Sequence, residues 1–200
     1  MIYLWFCLTQ PHQRDWMNFA IANQNSSSES PRYYFRANDR EASFLSNDMS
    51  MLTTDGDHDE IFIVDKKMAR GVFCRFGMAK IVAAAHYDGS RNYVAIMGGL
   101  RRYMISSPKN CEFLYLYPKG HPSNRHSQVD WSDINYNMNN KYPKFEKATV
   151  SEVILKAGDI MYIPSGWIHY VMSLNINWQC NSRSGKSKGG QDIYLHKCGF

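Results

Sequence analysis

Two hundred residues suffice for one domain with a substantial core and fall short of two comfortable ones. Aromatic residues make up 14% of the chain, with 13 Tyr and 10 Phe, which favours strands and a large packed interior. The formal charge of +5 is modest, and the basic residues Arg183, Lys186, Lys188 and Lys197 fall in the last stretch with little apolar patterning, so a solvated tail is expected and no nucleic-acid partner.

In chain order, the first eight residues are nearly all apolar. They lack a basic n-region and stop far short of the roughly 20 residues that span a bilayer. No membrane span is expected; they read as a buried first strand or as the cut end of a longer parent chain. Apolar residues at Trp16, Met17, Phe19, Ala20 and Ile21 predict a short helix over 14–23. Residues 23–31, rich in Asn and Ser, break that pattern and read as a loop. Residues 32–36 are strand-like, and 39–52 could hold a short helix. The turn Asp55-Gly56-Asp57-His58-Asp59-Glu60 carries its carboxylates side by side rather than alternated as in a calcium loop, so it reads as a solvated turn.

From Gly71 onward strands dominate, over 72–76, 80–87, 92–97, 101–106, 152–155, 159–163, 168–173 and 175–180, punctuated by Gly and Pro. This run predicts a mainly β fold, a closed or nearly closed double-sheet barrel of the jelly-roll type with a few peripheral helices. The insertion 109–149, rich in Asn, Pro, Tyr and Lys, reads as a long lid or substrate-binding loop. The five cysteines, Cys7, Cys74, Cys111, Cys180 and Cys198, are odd in number, widely spaced and without a Cys-x-x-Cys pair. They predict free thiols and a cytoplasmic or nuclear setting rather than a disulfide framework.

The chemistry concentrates in Ala83-Ala84-Ala85-His86-Tyr87-Asp88 and in Ile163-Pro164-Ser165-Gly166-Trp167-Ile168-His169. On an extended strand residues i and i+2 share a face, so His86 and Asp88 present an imidazole and a carboxylate side by side. His169, after an apolar strand bounded by turn signals, supplies a third ligand. Two histidines and one carboxylate on one face of a metal leave the opposite positions open, as ferrous iron requires when it binds a cosubstrate and oxygen. Trp167 reads as core packing beside the ligand strand.

His86-Tyr87-Asp88, Asn92-Tyr93, Gly99-Leu100-Arg101-Arg102-Tyr103, Leu116-Tyr117-Pro118, the stretch from His121 to Asp130 and Ala157-Gly158-Asp159 through His169 together resemble the JmjC or cupin-like oxygenases, most closely the factor-inhibiting-HIF type of asparaginyl hydroxylase. The likeness implies a double-stranded β-helix binding Fe(II) and 2-oxoglutarate, with a domain over 32–182 that carries the 109–149 insertion, an N-terminal segment over 1–31 and a basic polar tail over 183–200. By position His86, Asp88 and His169 match the iron ligands. Arg101 stands where the family has a lysine for the remote 2-oxoglutarate carboxylate, with Arg183 a further candidate clamp; Arg102, its neighbour on the strand, must face the other way. Asn92, Asn177 and Tyr34 match side chains that reach the cosubstrate, and Arg125 and His126 match positions that meet a peptide substrate. Ala83 replaces a threonine and Gln179 a tryptophan that lines the site.

The resemblance thus implies hydroxylation of a side chain on a protein or peptide substrate. Its alternative within the same chemistry is an N-methyl-lysine or N-methyl-arginine demethylase. A rival of another class is a catalytically silent cupin-like binding module, prompted by the joint departures at Arg101, Ala83 and Gln179. A sugar isomerase or small-molecule dioxygenase is a weaker rival, because those sites favour His-x-His where this chain has Asp88. The family's dimer uses helices after the barrel, and only about twenty polar residues follow Cys180, so that dimer is not expected.

Overall fold

The computed structural model describes residues 12–26, 30–38, 66–133, 141–186 and 191–200. The apolar first eight residues, the helix expected within 39–52 and the acidic turn 55–60 lie outside the described residues. The elements run α1 (His12–Ala22), β1 (Tyr34–Asn38), β2 (Ala69–Gly77), β3 (Val82–Tyr87), β4 (Arg91–Gly98), β5 (Leu100–Ser106), β6 (Ser151–Lys156), β7 (Ile160–Ile163), β8 (Ile168–Ser173), β9 (Asn177–Ser184) and α2 (Gln191–Lys197). Among the described residues nine antiparallel strands form two sheets, in the orders β1-β2-β9-β4-β7 and β3-β8-β5-β6. Neighbours in each sheet are mostly distant in sequence, which is the jelly-roll arrangement expected from the strand run.

Alternation along the strands decides what lies between the sheets. On β9 the odd residues Asn177, Gln179, Asn181 and Arg183 turn inward, while Trp178 and Cys180 pack outward with Phe76 and Cys74 of β2. Trp16 and Ala20 of α1 close over this outward face, joined by Phe35, Val72 and Met78. Between the sheets Val94, Ile96, Tyr103, Leu155, Ile163 and Val171 form an apolar plug. Trp167 packs partly buried against that plug, in line with its expected role.

Three sequence expectations need correction. The 109–149 insertion is not a long structureless lid. It folds into short 3-10 turns, Pro108–Phe113 and Pro143–Lys147, and buries Leu114, Leu116, Val129, Trp131 and Phe145 against Met104, Ile168 and Tyr170 on the outer face of the four-stranded sheet. Its widely spaced apolar residues have no period because they pack as single anchors. Residues 125–127 reach the rim of the barrel, where Tyr87 N donates to Arg125 O (3.1 Å) and Ser127 N to Ala85 O (2.8 Å), pairing the exposed edge of β3.

The last stretch, 183–200, is not a plain solvated tail. β9 continues through Ser184, and α2 buries Leu195 in the cluster formed by the insertion. Nor are the cysteines all free thiols. Cys74 and Cys180 are opposed partners of β2 and β9 and form a disulfide, with Cα atoms 4.0 Å apart; Cys111 and Cys198 form a second, 6.2 Å apart, tying α2 to the insertion. A cytoplasmic or nuclear setting therefore draws no support from these four residues. No helix among the described residues is long and apolar enough to cross a membrane.

Candidate metal centre

β3 and β8 are antiparallel neighbours, and their register sets His86 directly opposite His169. A register shift between Ala83 and His86 marks a bulge, the kind of irregularity that re-aims a side chain. The ring centroids lie 4.4 Å apart. Asp88 follows immediately after β3, held there by the hydrogen bond from Gly166 N to Asp88 O at 2.8 Å. The Pro164-Ser165-Gly166 turn thus holds the Asp88 backbone at the end of one strand while delivering His169 on the next. One ligand atom from each of His86, Asp88 and His169 falls within 4.8 Å of the others, and His169 Nε2 is 3.9 Å from Asp88 Oδ2.

The remaining imidazole nitrogens are occupied. His86 Nδ1 donates to Ala84 O at 2.8 Å, and His169 Nδ1 to Trp167 O at 3.1 Å. Each bond fixes the tautomer that leaves Nε2 with a free lone pair. Burial, then repulsion from His169, pushes His86 down to about 3, and burial likewise lowers His169, so both rings are neutral bases near pH 7. Burial pushes the Asp88 carboxyl up, but Arg183 foremost, with His169, His86 and Arg75, outweighs it and holds Asp88 below its ordinary value. Arg183 Nη2 lies 2.7 Å from Asp88 Oδ2, yet out of line for a hydrogen bond, so this buried oxygen has no hydrogen-bond donor. Two neutral imidazole nitrogens and an orphaned carboxylate oxygen suit a divalent cation coordinated from one side.

His86 and His169 line a cavity of about 420 Å³ between the sheets, with the Asp88 carboxylate beside them. Of the residues expected around a cosubstrate, Arg101, Asn92 and Tyr34 line it, as does Gln179. Arg101 is 4% exposed, so it is the inward member of the pair, whereas Arg102 turns out and meets Glu152 at 2.7 Å. Asn177 does not reach the wall. It sits behind Arg101, accepting a hydrogen bond from Arg101 Nε and donating to Asn175 O at 2.6 Å. Arg101 Nη2 also donates to Arg75 O at 3.1 Å, and Gly77 leaves the room this needs, since a Cβ there would lie 2.7 Å from Ser173 Oγ and 3.4 Å from Arg101 Nη2. Asn92 Oδ1 accepts from Asn181 Nδ2 at 2.9 Å, and Gln179 accepts from the Tyr103 hydroxyl.

At the rim His126 stacks on His86 with centroids 5.2 Å apart and lines the cavity, while His121 stays exposed and stacks on Tyr117. Arg125 adopts a left-handed φ of 68°, a conformation non-glycine residues seldom hold, and its Nη1 donates to Tyr87 O at 3.2 Å and approaches Asp88 Oδ1 at 3.7 Å. Sequence reasoning did not single out Arg36, Arg75, Tyr103 or Asn181, all of which line the cavity, nor the pairing of Arg183 with Asp88. A signal was present: four polar residues at alternate positions on β9, 177, 179, 181 and 183, are the mark of a strand facing a polar interior.

Comparison with known proteins gives the following likenesses. A model of the cupin-like domain matches residues 10–184. The tRNA wybutosine-synthesizing protein 5 of Gallus gallus is 28% identical over 162 residues, covering 76% of this chain and 48% of that protein. Lysine-specific demethylase JMJ31 of Arabidopsis thaliana is 26% identical over 142 residues, covering 67% and 25% respectively. Lysine-specific demethylase 8 of Xenopus tropicalis is 32% identical over 103 residues, covering 52% and 22%. The chain spans less than half the length of each of these relatives.

Proposed function

The chain belongs to the cupin-like domain family, and on that premise we propose that it is an oxygenase dependent on Fe(II) and 2-oxoglutarate, acting on a side chain of a protein or peptide. The observation that carries this reading is the convergence of His86, Asp88 and His169 beside a cavity whose wall holds both histidines and the buried guanidinium of Arg101.

When bound, iron and 2-oxoglutarate supply the oxidation: dioxygen is reduced as the cosubstrate loses CO2 to give succinate, and a substrate C–H bond becomes C–OH. The protein's share is positional. His86, His169 and Asp88 hold the metal from one side. Arg101, fixed by Asn177 and the Arg75 carbonyl, grips the remote carboxylate of the cosubstrate, which a planar guanidinium does with two parallel hydrogen bonds. Tyr34 and Asn92 flank it. Val94, Ile163 and Val171 add apolar surface to the cavity wall, and low-polarity surroundings of this kind strengthen charged contacts. Arg125 and His126 orient the substrate at the rim.

Removal of an N-methyl group is the second outcome of the same chemistry, and it gains weight from the two relatives whose names are those of lysine-specific demethylases. The test is succinate release from 2-oxoglutarate with Fe(II) and ascorbate, with pools of Asn-containing and N-methyl-lysine-containing peptides, against a His86→Ala control. Succinate with a peptide gaining one oxygen supports hydroxylation; succinate with formaldehyde supports demethylation. A chain that binds metal yet releases no more succinate than the control with any pool is a binding module, and the oxygenase reading is then wrong.

A further inference from the structure

Arg36 of β1, Arg75 of β2 and Arg183 of β9 all line the cavity, on three successive strands of one sheet. Arg36 and Arg75 are direct cross-strand partners. Like charges placed opposite one another across antiparallel strands repel and destabilise the pair, so this arrangement calls for a compensating anion. No carboxylate among the described residues is ion-paired with Arg36 or Arg75, and none lines the cavity. Arg36 lies over the Phe73 ring, 4.6 Å from its centroid, and Arg75 donates to the Asn181 amide oxygen, so each guanidinium is oriented while keeping its charge. Arg183 Nε is buried without a hydrogen-bond partner.

With a divalent metal, Asp88, 2-oxoglutarate and Arg101 in place, their charges cancel. What remains on the cavity wall is the positive charge of Arg36, Arg75 and Arg183, together with that of Arg32, whose guanidinium is tied to the Asn23 and Ser26 carbonyls. A carboxylate offers two oxygens and is matched by one guanidinium fork, whereas a tetrahedral dianion offers enough oxygens for several forks at once.

We propose that Arg36, Arg75 and Arg183 form a second anion site, beside the metal centre and separate from Arg101, which receives a phosphoryl group carried by the substrate. The assignment of that group to a substrate rests on the oxygenase reading above; the site itself does not. Arg36, exposed at the mouth, meets the group first, and Arg75 and Arg183, deeper and part-buried, complete its coordination.

The test is titration of the metal-free full chain with inorganic phosphate, followed by calorimetry and by 31P line width, against chloride at equal ionic strength. Phosphate is expected to bind where chloride does not. Arg36→Gln, at an exposed position that should leave the fold intact, and Arg75→Gln are each expected to weaken binding about tenfold or more, with Arg101→Gln leaving it unchanged; thermal melts check that each variant is folded. Binding lost in Arg101→Gln but kept in Arg36→Gln would place the anion at the other end and overturn the proposal, as would equal responses to phosphate and chloride. A competition arm identifies the source of the group. Displacement of phosphate by a nucleoside 5′-monophosphate or by O-phosphoserine supports a phosphoryl-bearing substrate and says which kind, and displacement by neither overturns it. Phosphate binding without succinate release would sink the oxygenase reading alone, and the converse pattern would sink the anion site alone.

Discussion

Arg183 Nη2 stands 2.7 Å from Asp88 Oδ2, the same carboxylate oxygen that lies 3.9 Å from His169 Nε2. A metal held by the triad would therefore compete with the guanidinium for the Asp88 carboxylate. The ion pair keeps the carboxylate ionised in the metal-free protein, but its positive charge also opposes the incoming cation. Arg183→Gln is expected to bind Mn(II) about tenfold more tightly, a difference of about 1.4 kcal/mol, while the metal-free variant melts at a lower temperature. Calorimetric titration with Mn(II) checks it; weaker binding in the variant would mean that Arg183 holds the carboxylate in place rather than competing for it.

Gly77 sets the position of Arg101. A methyl group there would press on Ser173 Oγ at 2.7 Å and on Arg101 Nη2 at 3.4 Å, so Gly77→Ala is expected to displace the guanidinium and weaken 2-oxoglutarate binding several-fold with metal affinity unchanged. Arg101→Ala should lose cosubstrate binding and also leave Asn177 Oδ1 without its donor, at a cost of about 1–3 kcal/mol in stability. Binding of N-oxalylglycine, a 2-oxoglutarate analogue, to the Mn(II)-loaded chain separates the two effects. Unchanged analogue affinity in Arg101→Ala would remove Arg101 from the cosubstrate site.

The strands and the triad were legible in the sequence because each rests on a local rule. Strand-like composition and Gly-Pro punctuation located the strands among the described residues, and His86 with Asp88 two residues apart gave the local half of the candidate site. What could not be read depends on cross-strand neighbours. The Cys74–Cys180 bond and the facing pair of Arg36 and Arg75 arise from the register of β2 with β9 and β1, which no window along the chain displays. The insertion misled for another reason: Trp131, Tyr142 and Phe145 are buried anchors spaced too irregularly to show a period, so a packed cover looked like a loop. Asn177 falls on an expected strand, over 175–180, but its expected place at the cavity wall is taken by Arg101, with Asn177 behind it.

Acid should loosen the metal-free fold through its two buried imidazoles. Folding lowers His86 from 6.5 to about 3 and lowers His169 from the same value. The unfolded chain therefore takes up protons from about pH 6.5 downward while the folded chain does not. The stability that depends on neutral rings is complete above pH 6.5 and is lost as pH falls toward 3. The Asp88 contribution, with its folded value below 3.8, holds above that value and fades only in stronger acid. Urea midpoints at pH 7.5, 5.5 and 4.5 for wild type and His86→Gln should show wild type losing more stability on acidification. Parallel curves would mean that folding does not lower the affinity of His86 for its proton.

Two cross-links spanning 106 and 87 residues join β2 to β9 and the insertion to α2. By constraining the unfolded chain, each is expected to add about 2–4 kcal/mol. Alkylation of the native chain without reductant should modify no thiol among Cys74, Cys111, Cys180 and Cys198, and peptide mapping should recover the pairs Cys74–Cys180 and Cys111–Cys198. The two links act on different parts of the barrel. Cys111→Ser with Cys198→Ser frees α2 from the outer face of the four-stranded sheet, away from the triad, so the melting temperature should fall while Mn(II) affinity stays within about twofold. Cys74→Ser with Cys180→Ser instead loosens the strands that carry Arg75 and Arg183, and both melting temperature and phosphate affinity should drop. Labelling of all four thiols in the folded, unreduced chain would show that the bonds do not form, and the stability difference between reduced and oxidised protein would then vanish.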